Sequence, residues 1–391
     1  MQTPIAGIDV LLDNPPFWHK QNIALITNHA AKNKNGLPSR QALLQHQFNI
    51  QLLFSPEHGL QVNGADGAFI DDGIDPLTQL PIISLYGKKL QPSADDLKGL
   101  DYLLFDIPDV GARFYTYLWT LSYALEASAA YQIPLIVADR PNPISCNISL
   151  SEGPMLDSSC ASFIGRWPMP IRHSCTLGEL ANYFNQKMKL NAPLSVIKIA
   201  NYQRNSFQND WGLPFNPTSP AIQNFESALC YCGLAFLEAT NISEGRGTPH
   251  AFTIAGAPWI DALAISKTFN QLSPNYVSTN TIDFIPTQGK FANQLCHGVQ
   301  LKIIEKEKYQ SVFIGLLLIK IIKDLHPTHF AWENYITNVN PSGVEHLDKL
   351  LGIKNAESLF DLPLTNFLTV IAGLLNVKKA WQHAIKPYLL Y

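Results

Sequence analysis

No Gly-x-Gly-x-x-Gly fingerprint follows the first strand-like run of this 391-residue chain, and no Walker loop, His-Glu-x-x-His helix or Gly-x-Ser-x-Gly elbow occurs in it. These absences argue against dinucleotide chemistry, nucleotide hydrolysis, zinc proteolysis and the usual serine hydrolases. Each of those reactions needs the backbone cradle, ligand pair or exposed nucleophile that its motif encodes. A basic excess is missing too: 28 Lys and Arg face 31 Asp and Glu, for a formal charge of -3. With nothing to neutralise phosphates, no nucleic-acid partner is expected. The six cysteines (Cys146, Cys160, Cys175, Cys230, Cys232, Cys296) lack zinc spacing, and Cys230 and Cys232 sit in an apolar run that reads as core. Such usage suits a reducing compartment. The greasiest stretch, Val312 to Ile322, is too short to span a bilayer and carries Lys320, so a buried helix and no membrane partner are expected. Neither a basic n-region nor an apolar h-region opens the chain. The expectation is a cytoplasmic protein, or a periplasmic or secreted one if the chain is a trimmed mature form.

What is present is a well-buried composition, 46% hydrophobic and 15% charged, in a chain too long for one ordinary core. Short branched runs at residues 22–27, 50–54, 81–85, 102–107, 135–138 and 195–199 alternate with helical patterns. Helices are expected over 115–131 and from the capping box Thr176-Leu177-Gly178-Glu179 to about Lys189. This alternation predicts an α/β fold, a Rossmann-like doubly wound and mostly parallel sheet over residues 1–255. After Pro258-Trp259 the texture changes to helices near 261–272, 309–325, 342–351, 364–375 and 377–389 with strand-like pieces between. A smaller α+β domain over residues 256–391, closing the cleft, is the expectation.

Candidate chemistry lies on the turns after the strands, because ligands of open α/β sheets bind outside the carboxyl ends of the strands. These turns supply Glu57 and His58, then Asp109, Arg113, Tyr115 and Tyr117, then Asp139, Arg140 and Asn142; His173 stands at a helix entrance. Asp139 and Arg140 read as an internal ion pair, Tyr115 and Tyr117 equally well as helix packing, and both histidines as hydrogen-bonded scaffold. Glu57, between Pro56 and His58 with no helix face to solvate it, suits a general acid whose pKa burial raises. Ser243-Glu244-Gly245-Arg246-Gly247-Thr248 holds a carboxylate and a guanidinium between glycines that permit close approach to a ligand. Its structural alternative is Arg246 clamping Glu244. The loop with Asp66, Asp71, Asp72 and Asp75 is oxygen-rich like a calcium site but lacks the EF-hand alternation, and reads as a solvated loop. No metal and no cofactor are expected.

With these turns in hand, the chain resembles the NamZ/YbbC family of exo-β-N-acetylmuramidases. The matching motifs are Ser55-Pro56-Glu57-His58-Gly59, Ser84-Leu85-Tyr86-Gly87, Asp109-Val110-Gly111 with Arg113 to Tyr117, and Asp139-Arg140-Pro141-Asn142-Pro143. Glu152-Gly153-Pro154, Arg172-His173, Gly178 to Ala181 and Ser243 to Thr248 extend the match. The resemblance implies release of a terminal, non-reducing N-acetylmuramic acid from peptidoglycan fragments, in a cleft between two domains, with Glu57 as the acid. The second carboxylate would be Asp109 or Glu244, with Asp139 behind them. Arg113 and Arg246 are the expected readers of the lactyl carboxylate. Ser219 belongs to a stretch, Thr218 to Gln223, that departs from the family pattern at Ala221. Pro249-His250 is a second departure, and together they leave the exact sugar open. A non-catalytic muropeptide or amino-sugar binder, and an esterase or amidase of wall fragments, are the competing functions.

Overall fold

The computed structural model describes residues 2–391. Seven strands form the first sheet: β1 (Ile23–Thr27), β2 (Ile50–Ser55), β3 (Gly73–Ile74), β4 (Pro81–Ser84), β5 (Tyr102–Asp106), β6 (Leu135–Ala138) and β7 (Leu194–Ile197). Their order is β3-β4-β2-β1-β5-β6-β7, with β3 alone antiparallel at the edge. The chain therefore winds outward in both directions from β1, as expected of a doubly wound sheet.

Strand periodicity divides the side chains between two cores. Ala24, Ile26, Phe54, Leu103, Phe105, Leu135 and Val137 pack under helices Tyr117–Tyr131 and Leu177–Lys187. Ile23, Leu25, Leu53, Leu104 and Ile136 face helices Gly7–Asp13 and Ser39–Gln45. Both faces are covered, which is why the strands read as unbroken apolar runs. The expected capping box forms: Glu179 N donates to Thr176 Oγ1 at 3.2 Å and Thr176 N to Glu179 Oε2 at 3.1 Å.

The second sheet, β8 (Ile254–Ala257), β9 (Val277–Phe284) and β10 (Cys296–Ile303), is antiparallel in the order β8-β10-β9. Helix Ser311–Leu325 is buried as expected, and none of the described helices is long and apolar enough to cross a membrane. It crosses helix Phe225–Leu234 at Gly233 and Gly315, where a Cβ on either glycine would collide with the backbone of the other helix. Two helices approach that closely only where side chains are missing.

The last residues turn back onto the first sheet. Trp381 Nε1 donates to His173 O at 2.8 Å, Leu390 N to Glu179 Oε1 at 3.0 Å, and Tyr391 OH to Asp139 Oδ2 at 2.6 Å. Ile199 N, just past β7, donates to the same tyrosine oxygen at 2.9 Å.

The glycine crossing gives a paired test. Gly233→Ala should lower stability by about 1–3 kcal/mol, the usual cost of overpacking. Gly373→Ala should instead stabilise by about 0.5–1 kcal/mol, because it lies inside helix Leu364–Leu375 with nothing within 4 Å of the new methyl group. Urea midpoints of the two variants, read at constant m-value, check both signs.

Candidate functional site

Strand β2 ends at Ser55, and the chain then reverses through His58 at φ +66° and Gly59 at φ +70°. A non-glycine residue in that region signals a turn held by its surroundings. Here the hold is a hydrogen bond between His58 Nδ1 and Gly64 O at 2.9 Å. A carbonyl can only accept, so Nδ1 carries the hydrogen of this bond. The reversal turns Glu57 inward, where it is 5% exposed. Gly67 N donates to its Oε1 at 2.9 Å and Thr116 Oγ1 to its Oε2 at 2.6 Å. Burial pushes the Glu57 carboxyl above the ordinary carboxylate range, and the nearby Asp66 charge adds to this. The His58 ring and the two hydrogen bonds oppose the shift without cancelling it.

Glu57 borders a cavity of about 50 Å³ whose walls come from both halves of the chain, among them Asp66, Tyr86, Tyr115, Glu238, Tyr335 and His346. Asp66 behaves oppositely to Glu57. Tyr335 OH donates to its Oδ2 at 2.6 Å and Arg246 Nη2 lies 3.6 Å away. Its partial burial acts to raise the pKa, but Arg246, His58 and the tyrosine hydroxyl outweigh it and hold the group below the usual range. Arg246 is the centre of this wall. Its Nε donates to Glu244 Oε1 at 2.7 Å and its Nη2 to Glu238 Oε1 at 2.6 Å, while Glu238 Oε2 lies 3.2 Å from His346 Nε2. His346 in turn stacks on Tyr335 at 4.6 Å between ring centroids. Tyr86 is buried beside Glu57 and Asp66, and burial plus their charges keep its phenol protonated.

Glu57, His58 and Asp66 each bring a donor atom within 4.8 Å of the others, the one such group among the described residues. Both Glu57 oxygens and Asp66 Oδ2 already accept hydrogen bonds from protein donors. A carboxyl pushed above its ordinary range beside one held below it is the asymmetry that an acid and its charged neighbour need.

Comparison with known proteins bears on what such a cleft belongs to. The chain matches the model described as exo-beta-N-acetylmuramidase NamZ, N-terminal, over residues 23–226 and its C-terminal counterpart over residues 229–391. The chain belongs to the NamZ exo-β-N-acetylmuramidase family. A curated relative, peptidoglycan beta-N-acetylmuramidase NamZ of Bacillus subtilis (strain 168), is 42% identical over 332 residues, covering 83% of this chain and 79% of the relative. Two solved structures of DUF1343 family proteins from Bacteroides fragilis NCTC 9343 share the fold. One has a TM-score of 0.88 at 27% identity over 100% of both chains, and the other 0.73 at 27% identity over 99% of both.

The NamZ motifs do not all converge on the cavity. Glu57, His58 and Tyr115 reach it. Tyr115 OH donates to Thr218 Oγ1 at 2.7 Å and Tyr117 OH to Thr218 O at 2.5 Å, so Tyr117, fully buried, braces the wall from behind. Arg113, expected to read a carboxylate on the sugar, is instead fully enclosed. Its donors go to Pro154 O, Met169 O and Leu350 O at 2.8–2.9 Å, and burial lowers its pKa to about 9. Asp139 is likewise sealed: Thr176 Oγ1, Gly178 N and Tyr391 OH donate to it at 2.6–2.8 Å, and burial raises it to about 6. The ion pair expected between Asp139 and Arg140 is replaced by one between Arg140 Nε and Asp106 Oδ1 at 2.5 Å. Asn142 ties Ile144 N to Cys175 O, and Ser219 Oγ accepts from Ile222 N at 3.1 Å. Both shape loops.

Asp109 lines a different cavity, of about 370 Å³, with Arg140, Trp211 and Phe215. Its Oδ2 accepts from Gly111 N at 3.1 Å and sits 3.1 Å from His173 Nε2, too poorly aligned for a hydrogen bond. His173 Nδ1 accepts from Cys175 N at 3.3 Å, so this histidine is scaffold. Glu244 stands behind Arg246, its water-sealed Oε2 3.6 Å from Lys290 Nζ. Burial works to raise its pKa, but Lys290 and Arg246 reverse the sign. The glycines of that turn serve packing against the protein itself: a Cβ at Gly245 would fall 2.5 Å from Ile254 Cγ1, and one at Gly247 would strike Thr287. The acidic loop is not simply solvated either, since Asp75 is buried and ion-paired with Arg40 at 2.8 Å while Asp66 reaches the cavity. Sequence reasoning placed Asp66 in a solvated loop and passed over Tyr86, Glu238, Tyr335 and His346 as site residues. Tyr86 had a signal, its place in the Ser84-to-Gly87 motif.

Two outcomes follow from this placement. Arg113→Ala orphans two buried carbonyls, Pro154 O and Leu350 O, at about 1–3 kcal/mol each, and leaves Met169 O with Leu156 N alone, so its thermal midpoint should fall steeply, as calorimetry would record. Overnight EDTA treatment of the unmutated protein should leave sugar release unchanged; a loss restored by one specific divalent ion would make the Glu57, His58 and Asp66 group a metal centre.

Proposed function

We propose that this chain is a glycoside hydrolase that releases a terminal, non-reducing N-acetylmuramic acid, or a closely related amino sugar, from peptidoglycan fragments, with Glu57 as the general acid. The observation that carries the role of Glu57 is its setting: a buried carboxyl, its pKa pushed up by desolvation, at the edge of a cleft built by both halves of the chain. Membership of the NamZ family and the peptidoglycan muramidase activity of the Bacillus subtilis relative support the substrate class. General acids of glycosidases need a proton at neutral pH, and burial is the ordinary way to keep one.

At about 50 Å³ the cavity is well below the roughly 300 Å³ at which ligand pockets begin. A sugar therefore enters only when the two rims separate. The polar contacts between the rims are few: Tyr335 OH with Asp66 Oδ2 at 2.6 Å, Asn338 N with Gly67 O at 2.8 Å and the Arg246 Nη2–Asp66 Oδ2 pair at 3.6 Å.

The decisive experiment incubates the protein with a synthetic N-acetylmuramyl-N-acetylglucosamine disaccharide and reads the products by mass spectrometry. Free N-acetylmuramic acid is expected. Retention of the intact disaccharide with measurable binding would leave the chain a binder, and release of a peptide or acyl group in place of sugar would make it an amidase or esterase. Glu57→Gln should reduce kcat by about 10²–10⁴-fold while leaving KM and melting nearly unchanged, because the amide keeps the shape but is a poor proton donor. Activity should also fall on the alkaline side, as pH passes the raised pKa of Glu57 and the acid loses its proton.

A further inference from the structure

We infer that Asp66 is the second catalytic carboxylate of this site, the ionised group that attacks the anomeric carbon while Glu57 protonates the leaving oxygen. The inference rests on the glycosidase function proposed above and names a residue that no strand-end motif contains. Four carboxylates besides Glu57 are near enough to consider, and geometry separates them. Asp109 borders the other cavity. Glu244 is walled off behind Arg246, with its free oxygen sealed from water. Glu238 has one oxygen on Arg246 and the other against His346. Asp66 remains. Its side chain is 30% exposed, its Oδ2 is held by Tyr335 and Arg246, and its Oδ1 accepts no hydrogen bond among the described residues.

Spacing supports the same assignment. One oxygen of Glu57 and one of Asp66 lie within 4.8 Å of each other. Retaining glycosidases set their two carboxyl groups about 5–5.5 Å apart, and inverting ones about 6.5–9.5 Å to leave room for a water. A nearest-oxygen approach within 4.8 Å accords with the shorter, retaining spacing. The environments also divide the labour: Glu57 has no cation bonded to it, whereas Asp66 faces a guanidinium that favours its charged form.

Asp66 Oδ1 forms a bond to C1 as the C1–O bond to the leaving sugar breaks, and Glu57 transfers its proton to that departing oxygen. Glu57, now a carboxylate, takes a proton from water as the water oxygen attacks C1 of the glycosyl ester. The ester bond to Asp66 breaks, Asp66 regains its charge, Glu57 regains its proton, and the sugar leaves with its original configuration.

Chemical rescue tests this. With an aryl β-glycoside of N-acetylmuramic acid carrying a good leaving group, Asp66→Ala should lose at least about 10⁴-fold in kcat, the scale of losing a nucleophile. Added azide should restore turnover and give the α-glycosyl azide, because azide attacks directly from the face Asp66 vacated. Glu57→Ala with azide should give the β-azide. Proton NMR of the unmutated enzyme, which needs no folded variant, should show the β-anomer first. Near-normal activity of Asp66→Ala, a β-azide from that variant, or the α-anomer first from the unmutated enzyme would each overturn the assignment while leaving the glycosidase function standing. Failure of the unmutated enzyme to release any sugar would overturn both.

Discussion

Arg246 gathers carboxylates from three separate stretches of chain: Asp66 on the loop after β2, Glu238 before the Ser243–Thr248 turn, and Glu244 within that turn. Buried carboxylates left without a counter-charge would be protonated or expelled to water. One guanidinium, supported by Lys290 against Glu244 and seated 5.0 Å over the Phe252 ring, supplies the counter-charge for all three. The cleft wall is therefore electrostatically closed around a single side chain. Because Asp66 belongs to the first half and Arg246 to the second, the same interaction sets how the two rims face one another.

That arrangement explains how two acids so close together can differ. Glu57 receives only neutral donors, an amide and a hydroxyl, and burial dominates its behaviour. Asp66 is nearer to water and receives a cation, a hydroxyl and a histidine field. Two like charges at this distance repel, so ionisation of one favours the proton on the other. The asymmetry of Arg246 decides which one keeps it.

Much of this was legible in the chain. Apolar runs with turn chemistry at both ends located the strands, the Thr176–Glu179 box located a helix start, and Glu57 stood out because a strand-end turn offers a carboxylate no solvated face. Other residues misled for physical reasons. Arg113, Asp139 and Asn142 stand on strand-end turns as a binding residue would, yet their side chains turn back to hold loops and helix ends. Local sequence records neither that direction nor what lies behind it. Asp66 sits among glycines and other acids, a composition shared with solvated loops, and gains its setting only when Tyr335 and Arg246 arrive from about 270 and 180 residues away. Glu238, Tyr335 and His346 come from segments without a recognisable pattern. Their meeting is a property of the tertiary fold.

The docking of residues 381–391 onto the first sheet has a consequence for how the molecule is made. Asp139 is inside the protein, and one of its four donors is Tyr391, 252 positions later. Ile199 N, Glu179 and His173 also wait for partners from this final stretch. A ribosome releases the chain from its beginning, so the strands β1 to β7 emerge long before these partners do. During that interval, at the edge of β6 and β7, the Ile199 amide has only water for a partner. Asp139, Glu179 Oε1 and His173 O have only donors that follow them within 39 residues: Arg140, Thr176 and Gly178 for the first, Arg204 for the second and Cys175 for the third. Local opening should begin at this edge in the finished protein too, and a nascent chain should hold it open until translation has passed residue 391.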